Sequence, residues 1–130
     1  MDNAMKEFCL QQHYGVAGSF ANESKYAYRI LTMLTATGRK VYPISPSLKM
    51  VAGIPCFKSI TDLPNEVTAI SFVTPPAVTE TLLKQCFDKQ IKLVWMQPGA
   101  ESVDATKFCL SHGITPIENA CLLVTFPQLK

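Results

Sequence analysis

Gly15 and Gly18 stand in the run His13-Tyr14-Gly15-Val16-Ala17-Gly18-Ser19-Phe20, with Asn22 and Ser24 just beyond. The pattern reads as a short buried strand, a sharp turn and the entry to a helix. Glycine allows such a turn at low steric cost, and Asn22 and Ser24 suit a helix start as capping residues. A helix start carries free backbone N–H groups and partial positive charge, so the chemistry on offer is the holding of a phosphate, here the pyrophosphate of a nucleotide-containing ligand. G-x-x-G also serves strand-to-helix turns that hold nothing, and the two glycines alone leave both readings open.

Other residues narrow the nucleotide. A dinucleotide fingerprint would need glycine where Ala17 and Phe20 stand, and an acidic residue after the second strand to hold a ribose diol. The chain has Ser45 there, followed by Pro46, Ser47 and Lys49. A lysine suits a phosphorylated ribose; the plainer reading is a solvated loop charge. No G-x-x-x-x-G-K-[ST] occurs, which argues against a P-loop nucleotidase. His13 leads into a strand and His112 ends a helix, and both read as structural or solvated. No carboxylate pair, Ser-His-Asp set or Cys/His spacing for a metal is present; Glu101 and Glu118 fall near strand ends and read as solvated.

The cysteines are Cys9, Cys56, Cys86, Cys109 and Cys121. Their number is odd and no C-x-x-C occurs, which points to reduced thiols in a cytoplasmic protein, mostly as small core residues. Cys121, after the last strand, is the one reactive candidate. It reads as an inert buried thiol or as a partner for a ligand thiol in a mixed disulfide.

These residues need a scaffold, and the hydrophobic pattern supplies one. The spacing predicts a short helix over 2–11, a strand over 14–17 and a long helix over 24–37. In that helix Ala27, Ile30, Leu31 and Leu34 share a face, and Gly38 closes it. A strand over 40–45 stops at Pro46. A loop with one very short strand near Pro55 and Cys56 follows, then a helical turn over 59–63. A buried strand over 68–73 leads through Thr74-Pro75-Pro76 into a helix reaching Lys89, with Val78, Leu82 and Cys86 on one face. A strand over 92–96, a helix over 102–112 ended by Gly113, a strand over 114–117 and a closing turn or short helix over 119–126 complete the chain. The last residues are expected to fray.

Strand and helix alternate, which implies an α/β fold with a doubly wound parallel sheet of about five strands and helices on both faces, a three-layer α/β/α arrangement. The 130 residues suit one domain, with an N-terminal helix over 1–12, a core over 13–121 and a tail over 122–130. Hydrophobic residues make up 48% and charged residues 17%, a globular balance. Apolar runs are too short to span a bilayer and the N-terminus does not read as a signal peptide, so neither a membrane nor export is expected. A net charge of +2, without a basic stripe, gives no case for nucleic acid.

Several segments in order resemble the small stand-alone CoA-binding proteins of Rossmann-like fold and the amino-terminal domain of the succinyl-CoA synthetase alpha subunit. They are Gly15-Val16-Ala17-Gly18-Ser19, Val41-Tyr42-Pro43-Ile44-Ser45-Pro46, Gly53-Ile54-Pro55-Cys56, Phe72-Val73-Thr74-Pro75-Pro76 and Trp95-Met96-Gln97-Pro98-Gly99. The resemblance runs from about Tyr14 to Cys121 and implies coenzyme A as the ligand. By position it implies that the backbone at Gly18, Ser19 and Phe20 holds phosphates. It sets Pro46 and Lys49 beside the adenosine part, has Val73, Thr74 and Pro75 line the groove, and has Trp95, Met96 and Gln97 meet the pantetheine arm. Lys25 and Arg29 are added by charge and position only. The turn has fewer glycines than the synthetase, so the phosphate grip differs.

The synthetase also needs a domain bearing a phosphorylated histidine and a partner subunit, for which this sequence offers no counterpart. The expectation is therefore non-catalytic binding of CoA or an acyl-CoA, as carrier or regulator, with a homodimer compatible with that role. The rival expectations are a nicotinamide-binding oxidoreductase-like domain and a ligand-free protein-interaction module.

Overall fold

The structure, a computed structural model, describes residues 3–129; the expectations for Met1, Asp2 and Lys130 lie outside the described residues. Alternation of apolar strands with amphipathic helices gives α1 (Asn3–Cys9), β1 (His13–Gly18), α2 (Tyr26–Ala36), β2 (Lys40–Ile44), β3 (Met50–Val51), β4 (Ile54–Pro55) and β5 (Ala69–Val73). They are followed by α3 (Pro76–Lys89), β6 (Leu93–Met96), α4 (Val103–Ser111), β7 (Thr115–Ile117) and α5 (Leu122–Thr125), with a 3-10 turn over Phe126–Leu129.

Five strands form one parallel sheet in the order β2-β1-β5-β6-β7. The chain steps outward from β1 to β2, then crosses back over β1 to lay β5 on its other side. Strand order therefore reverses between β1 and β5, where Gly18 stands opposite Val73. The sheet is covered on both faces, which is why β5 and β6 read as nearly unbroken apolar runs. On one face α1, α2 and α5 bring Phe8, Ile30, Leu34 and Leu122 against Tyr14, Val16 and Trp95. On the other, α3, α4 and the 60–67 segment bring Leu83, Cys109, Ile60 and Leu63 against Ile70, Phe72 and Val94. The architecture is the Rossmann-like, three-layer α/β/α sheet that the alternation implies.

Several local expectations change. Helix α2 begins at Tyr26, not near Asn22, because the Asn22 side chain folds back locally: its Oδ1 accepts from the Ser24 amide at 3.0 Å and from Ser24 Oγ at 2.5 Å. The 49–56 loop holds two short strands, β3 and β4, paired antiparallel about Ala52 (φ 51°) and Gly53 (φ 78°). Two successive positive φ angles are what a tight hairpin turn requires. Helix α3 buries Thr79, Leu83 and Cys86, turned by one residue from the expected face, and leaves Val78 43% exposed. Helix α4 starts as expected, with Ser102 Oγ accepting from the Ala105 amide at 3.0 Å, but Val103 faces solvent. Leu122 and Phe126, expected in a tail, are buried, and the Arg39 guanidinium lies 5.0 Å from the Phe126 ring centroid.

Candidate functional site

The carboxyl ends of β1, β2 and β5 meet around a groove of about 570 Å³ at the point where strand order reverses. This is where open parallel sheets bind ligands. Each wall follows from local sequence.

The first wall is the turn after β1. A Cβ on Gly18 would lie 2.8 Å from the Ala27 Cβ and 2.8 Å from the Val73 carbonyl oxygen, so only glycine lets β1 approach both α2 and β5 this closely. Ser19, Phe20 and Ala21 continue along the groove. Among the described residues, no backbone amide from Ser19 to Glu23 donates to a protein acceptor. No side chain caps α2 either. Unbonded amides on the loop that leads into a helix are donors open to an anion.

The second wall is Ile44 to Leu48, at the exit of β2. It is held from outside by the chain at Phe57, which forms a parallel bridge with Ile44. The Phe57 amide donates to the Pro43 carbonyl at 2.9 Å, and the Ser45 amide donates to the Phe57 carbonyl at 2.9 Å. That pairing brings Lys58 into the lining. The third wall is Val73, Thr74 and Pro75 with Val78 and Leu82 of α3. Thr74 and Thr79 share a hydroxyl–hydroxyl hydrogen bond of 2.6 Å, which fixes this crest at the start of α3. The groove is mainly apolar and, among the described residues, no carboxylate lines it.

A second hollow, of about 240 Å³, adjoins the first. It shares Val73, Thr74 and Pro75 and adds Gln97, Pro98, Gly99 and Ala100. Its outer loop is fixed by Glu101, whose two carboxylate oxygens each accept from the Gly99 amide at 3.1 Å.

The structure thus gathers Gly18, Ser19, Phe20, Pro46, Val73, Thr74 and Pro75 along one groove, with Gln97 in the adjoining hollow. It separates the others. Trp95 and Met96 are fully buried. Trp95 Nε1 donates to the Ala120 carbonyl at 2.9 Å and its ring packs edge-on to Phe8. Both faces of β6 are covered by helices, so these side chains belong to the core and line neither hollow. Gln97 is also nearly buried; its Oε1 accepts from the Leu122 amide at 2.6 Å and its Nε2 donates to Cys121 Sγ at 3.4 Å. Cys121 is half-buried and lines neither hollow. Lys25 is exposed just ahead of α2, and Lys49 is exposed on the approach to β3; neither lines the groove.

Lys58, Val78 and Leu82 were not among the residues singled out as a site from sequence. For Val78 and Leu82 the apolar spacing was visible but pointed equally well to the core. The position of Lys58 depends on a contact between distant segments. Among the other thiols, burial pushes Cys9 up to about 11 and Cys109 up to about 12, and raises Cys86 and Cys56 above the usual thiol value. Protonated, these four are poor nucleophiles. His13 begins β1 and His112 follows α4, so both lie toward the opposite edge of the sheet. Among the described residues no three His, Cys, Asp or Glu side chains gather to hold a metal, and no helix is long and apolar enough to cross a membrane.

Known proteins resemble this chain in sequence and in fold. The ADP-forming acetate–CoA ligase of Methanocaldococcus jannaschii is 29% identical over 91 residues, 70% of this chain but only 13% of the ligase. The alpha subunit of an ADP-forming acetate–CoA ligase II of Pyrococcus furiosus is 30% identical over 78 residues, covering 59% of this chain and 17% of the subunit. The chain therefore corresponds to a small part of the curated relatives it matches. Among solved structures, a conserved hypothetical protein of Pyrococcus furiosus superimposes with a TM-score of 0.82 at 32% identity, covering 87% of this chain and 97% of that one. A hypothetical protein of Pyrococcus horikoshii gives a TM-score of 0.93 at 23% identity, covering 99% of this chain and 92% of that one, and shares the fold. The model of the CoA binding domain matches residues 12–127, from just before β1 to past α5 and so across every wall of the groove, and the chain belongs to that family.

Proposed function

We propose that this chain binds coenzyme A or an acyl-CoA in the groove at the carboxyl edge of its sheet, and that it acts by binding, as a carrier or regulator, without catalysing a reaction itself. The observation that carries this reading is the groove at the strand-order reversal, free of carboxylates and edged by unbonded amides. In this reading the amides around Gly18, Ser19 and Phe20 take the pyrophosphate. The adenosine part lies toward Ser45 and Pro46, and the pantetheine arm crosses the crest at Val73, Thr74 and Pro75. The smaller hollow beside Gln97 then receives the thiol end. Trp95 and Met96 support the floor from within the core, and Lys25 and Lys49 have no part in the grip.

Membership of the CoA binding domain family and the partial match to ligases named for CoA support the ligand class. A nicotinamide dinucleotide fits less well, because Ser45 stands where a ribose diol would want a carboxylate. The cytoplasm as location and a homodimer as assembly state accord with this role.

Thermal unfolding with CoA, acetyl-CoA, NADH and NADPH tests the proposal. A ligand at a hundredfold its dissociation constant adds about 2.7 kcal/mol to stability. CoA and acetyl-CoA are expected to stabilise the protein in this way. Stabilisation by NADH and not by CoA would replace the reading with the oxidoreductase-like one.

A further inference from the structure

We infer that Lys58 reads the phosphate on the ribose of the bound nucleotide, and so sets the preference for CoA over its dephosphorylated form. This rests on the CoA reading and adds a residue and a specificity to it.

Among the described residues, Lys58 is the one cationic side chain lining the groove, and no carboxylate lines it to neutralise the ammonium. Among the described residues Lys58 has no hydrogen-bonding or ionic partner. A cation beside an apolar cleft with nothing to balance it favours an anionic ligand group.

Its place in the fold selects which anion. Phe57 extends the sheet beyond β2 through its bridge to Ile44, so Lys58 lies at the carboxyl end of β2. In doubly wound sheets that end faces the ribose of the adenosine half, and a cation there accommodates a ribose phosphate. The pyrophosphate has its own donors on another wall, the amides after Gly18 and at the start of α2. The backbone at Lys58 is also well fixed. Phe57 is tied to β2 on one side and packs edge-on to Tyr42 with ring centroids 5.7 Å apart. On the other side the Ile60 amide donates to Gln85 Oε1 of α3 at 2.8 Å. Lys49 has the same charge but lies on the approach to the β3–β4 hairpin, outside the lining.

The test is calorimetric titration of the wild type, Lys58→Gln and Lys49→Gln with CoA and with 3′-dephospho-CoA, with melting temperatures measured alongside. Lys58 is exposed, so Lys58→Gln is expected to melt as the wild type does. The wild type is expected to prefer CoA by about tenfold, the scale of one charge-assisted contact. Lys58→Gln should bind both ligands with the affinity the wild type has for the dephosphorylated one, and Lys49→Gln should keep the preference. Equal losses toward both ligands in Lys58→Gln would overturn the inference and place the lysine on the pyrophosphate, and an undiminished preference would overturn it too. Both of those results leave the CoA reading standing. A wild type that binds neither ligand removes that reading and this inference together.

Discussion

The two edges of the sheet are built from the same kinds of residue and end up as opposite surfaces. At the amino edge, several polar groups find partners within the chain. Arg39 donates through Nε to the Gln11 carbonyl at 2.9 Å and through Nη2 to the Cys9 carbonyl at 3.0 Å. Lys89 Nζ donates to the Thr61 carbonyl at 3.0 Å and to Asn65 Oδ1 at 3.1 Å, and Thr68 Oγ1 donates to Gln11 Oε1 at 2.6 Å. The hollow at this edge, about 650 Å³, is larger than the groove, but Glu7 and Asp88 line it together with Lys89 and Lys92. At the carboxyl edge the amides from Ser19 to Glu23 and the Lys58 ammonium have no protein partner among the described residues, and the walls between them are apolar. Hollow size does not distinguish the edges; unsatisfied donors of one sign do. One edge has spent several of its polar groups on holding the fold and mixes charges of both signs, and the other leaves its donors unpaired.

The largest expected effect comes from the spent edge. Tyr14 donates its hydroxyl to the Phe8 carbonyl beneath α1, and burial raises its pKa above the usual phenol value. Burial likewise pushes neighbouring Cys9 up to about 11 from 9.0, with Arg39 opposing. The sign follows from proton counting. Above pH 9 the unfolded chain gives up the Cys9 proton while the folded chain holds it to about pH 11. Stability is therefore intact below pH 9 and falls as pH rises through that window, by about 1.4 kcal/mol per pH unit for each proton fully withheld. Urea unfolding of the reduced protein at pH 7.5, 9 and 10.5 should show the midpoint dropping most in the last step, and Cys9→Ala should shrink that drop without abolishing it, because Cys56, Cys86 and Cys109 are raised as well. A midpoint unchanged at pH 10.5 would mean that the thiol and phenol under α1 are not held protonated.

The next effect falls where the two edges share a strand. Gly15 and Gly18 both lie in β1, yet a methyl group meets different neighbours at each. At Gly15 it would crowd the Ile70 Cδ1 at 2.7 Å and the Ile44 Cδ1 at 3.0 Å, the movable ends of long side chains. At Gly18 it would meet a backbone carbonyl and the Cβ of a helix residue, neither of which can swing aside. Gly18→Ala is expected to cost about 1–3 kcal/mol, the range for overpacking a tight site, and Gly15→Ala less. Chemical denaturation of both variants checks this, and a larger loss at Gly15 would show that β1 can shift away from α2 to relieve Gly18.

The same contrast explains what could be read from sequence. Features set by neighbours along the chain were legible. The helical face Ala27, Ile30, Leu31, Leu34, the helix that sets in at 102–103 and the turn after Gly18 depend on spacing and residue type within one segment. The rim segments at Ser45–Pro46 and Val73–Pro75 were legible because proline and glycine mark where strands end, and a parallel sheet gathers those ends. What failed needed partners far along the chain. Trp95 looks like a rim residue beside Gln97-Pro98-Gly99, and only the packing of α1 and the Ala120 carbonyl makes it core. Lys58 and Lys49 are alike as lysines near the second strand, and the pairing of Phe57 with Ile44 is what puts Lys58, and not Lys49, in the groove lining. On α3, a rotation by one residue exchanges Val78 and Leu82 for Thr79 and Leu83, and apolar spacing is satisfied by either set.

That rotation leads to the smallest change in stability and a direct test of the difference between the edges. Val78 is 43% exposed and forms part of the apolar wall of the groove, while Leu10 is 71% exposed beside the amino edge. Glutamate at either position stays in contact with solvent, so both variants should unfold within about 0.5 kcal/mol of the wild type. Their effects on CoA should part. Val78→Glu brings a carboxylate into a groove that has none and faces it toward a polyanionic ligand, so binding should weaken about tenfold or more, near 1.4 kcal/mol. It should weaken further as ionic strength is lowered, because screening of the new repulsion falls. Leu10→Glu changes net charge by the same amount and should leave the affinity unchanged. If titration calorimetry gave equal losses for the two, net charge alone would account for the binding and the edges would not differ. If Val78→Glu bound as the wild type does, the ligand would lie clear of the α3 wall, on the Gly18 side of the groove.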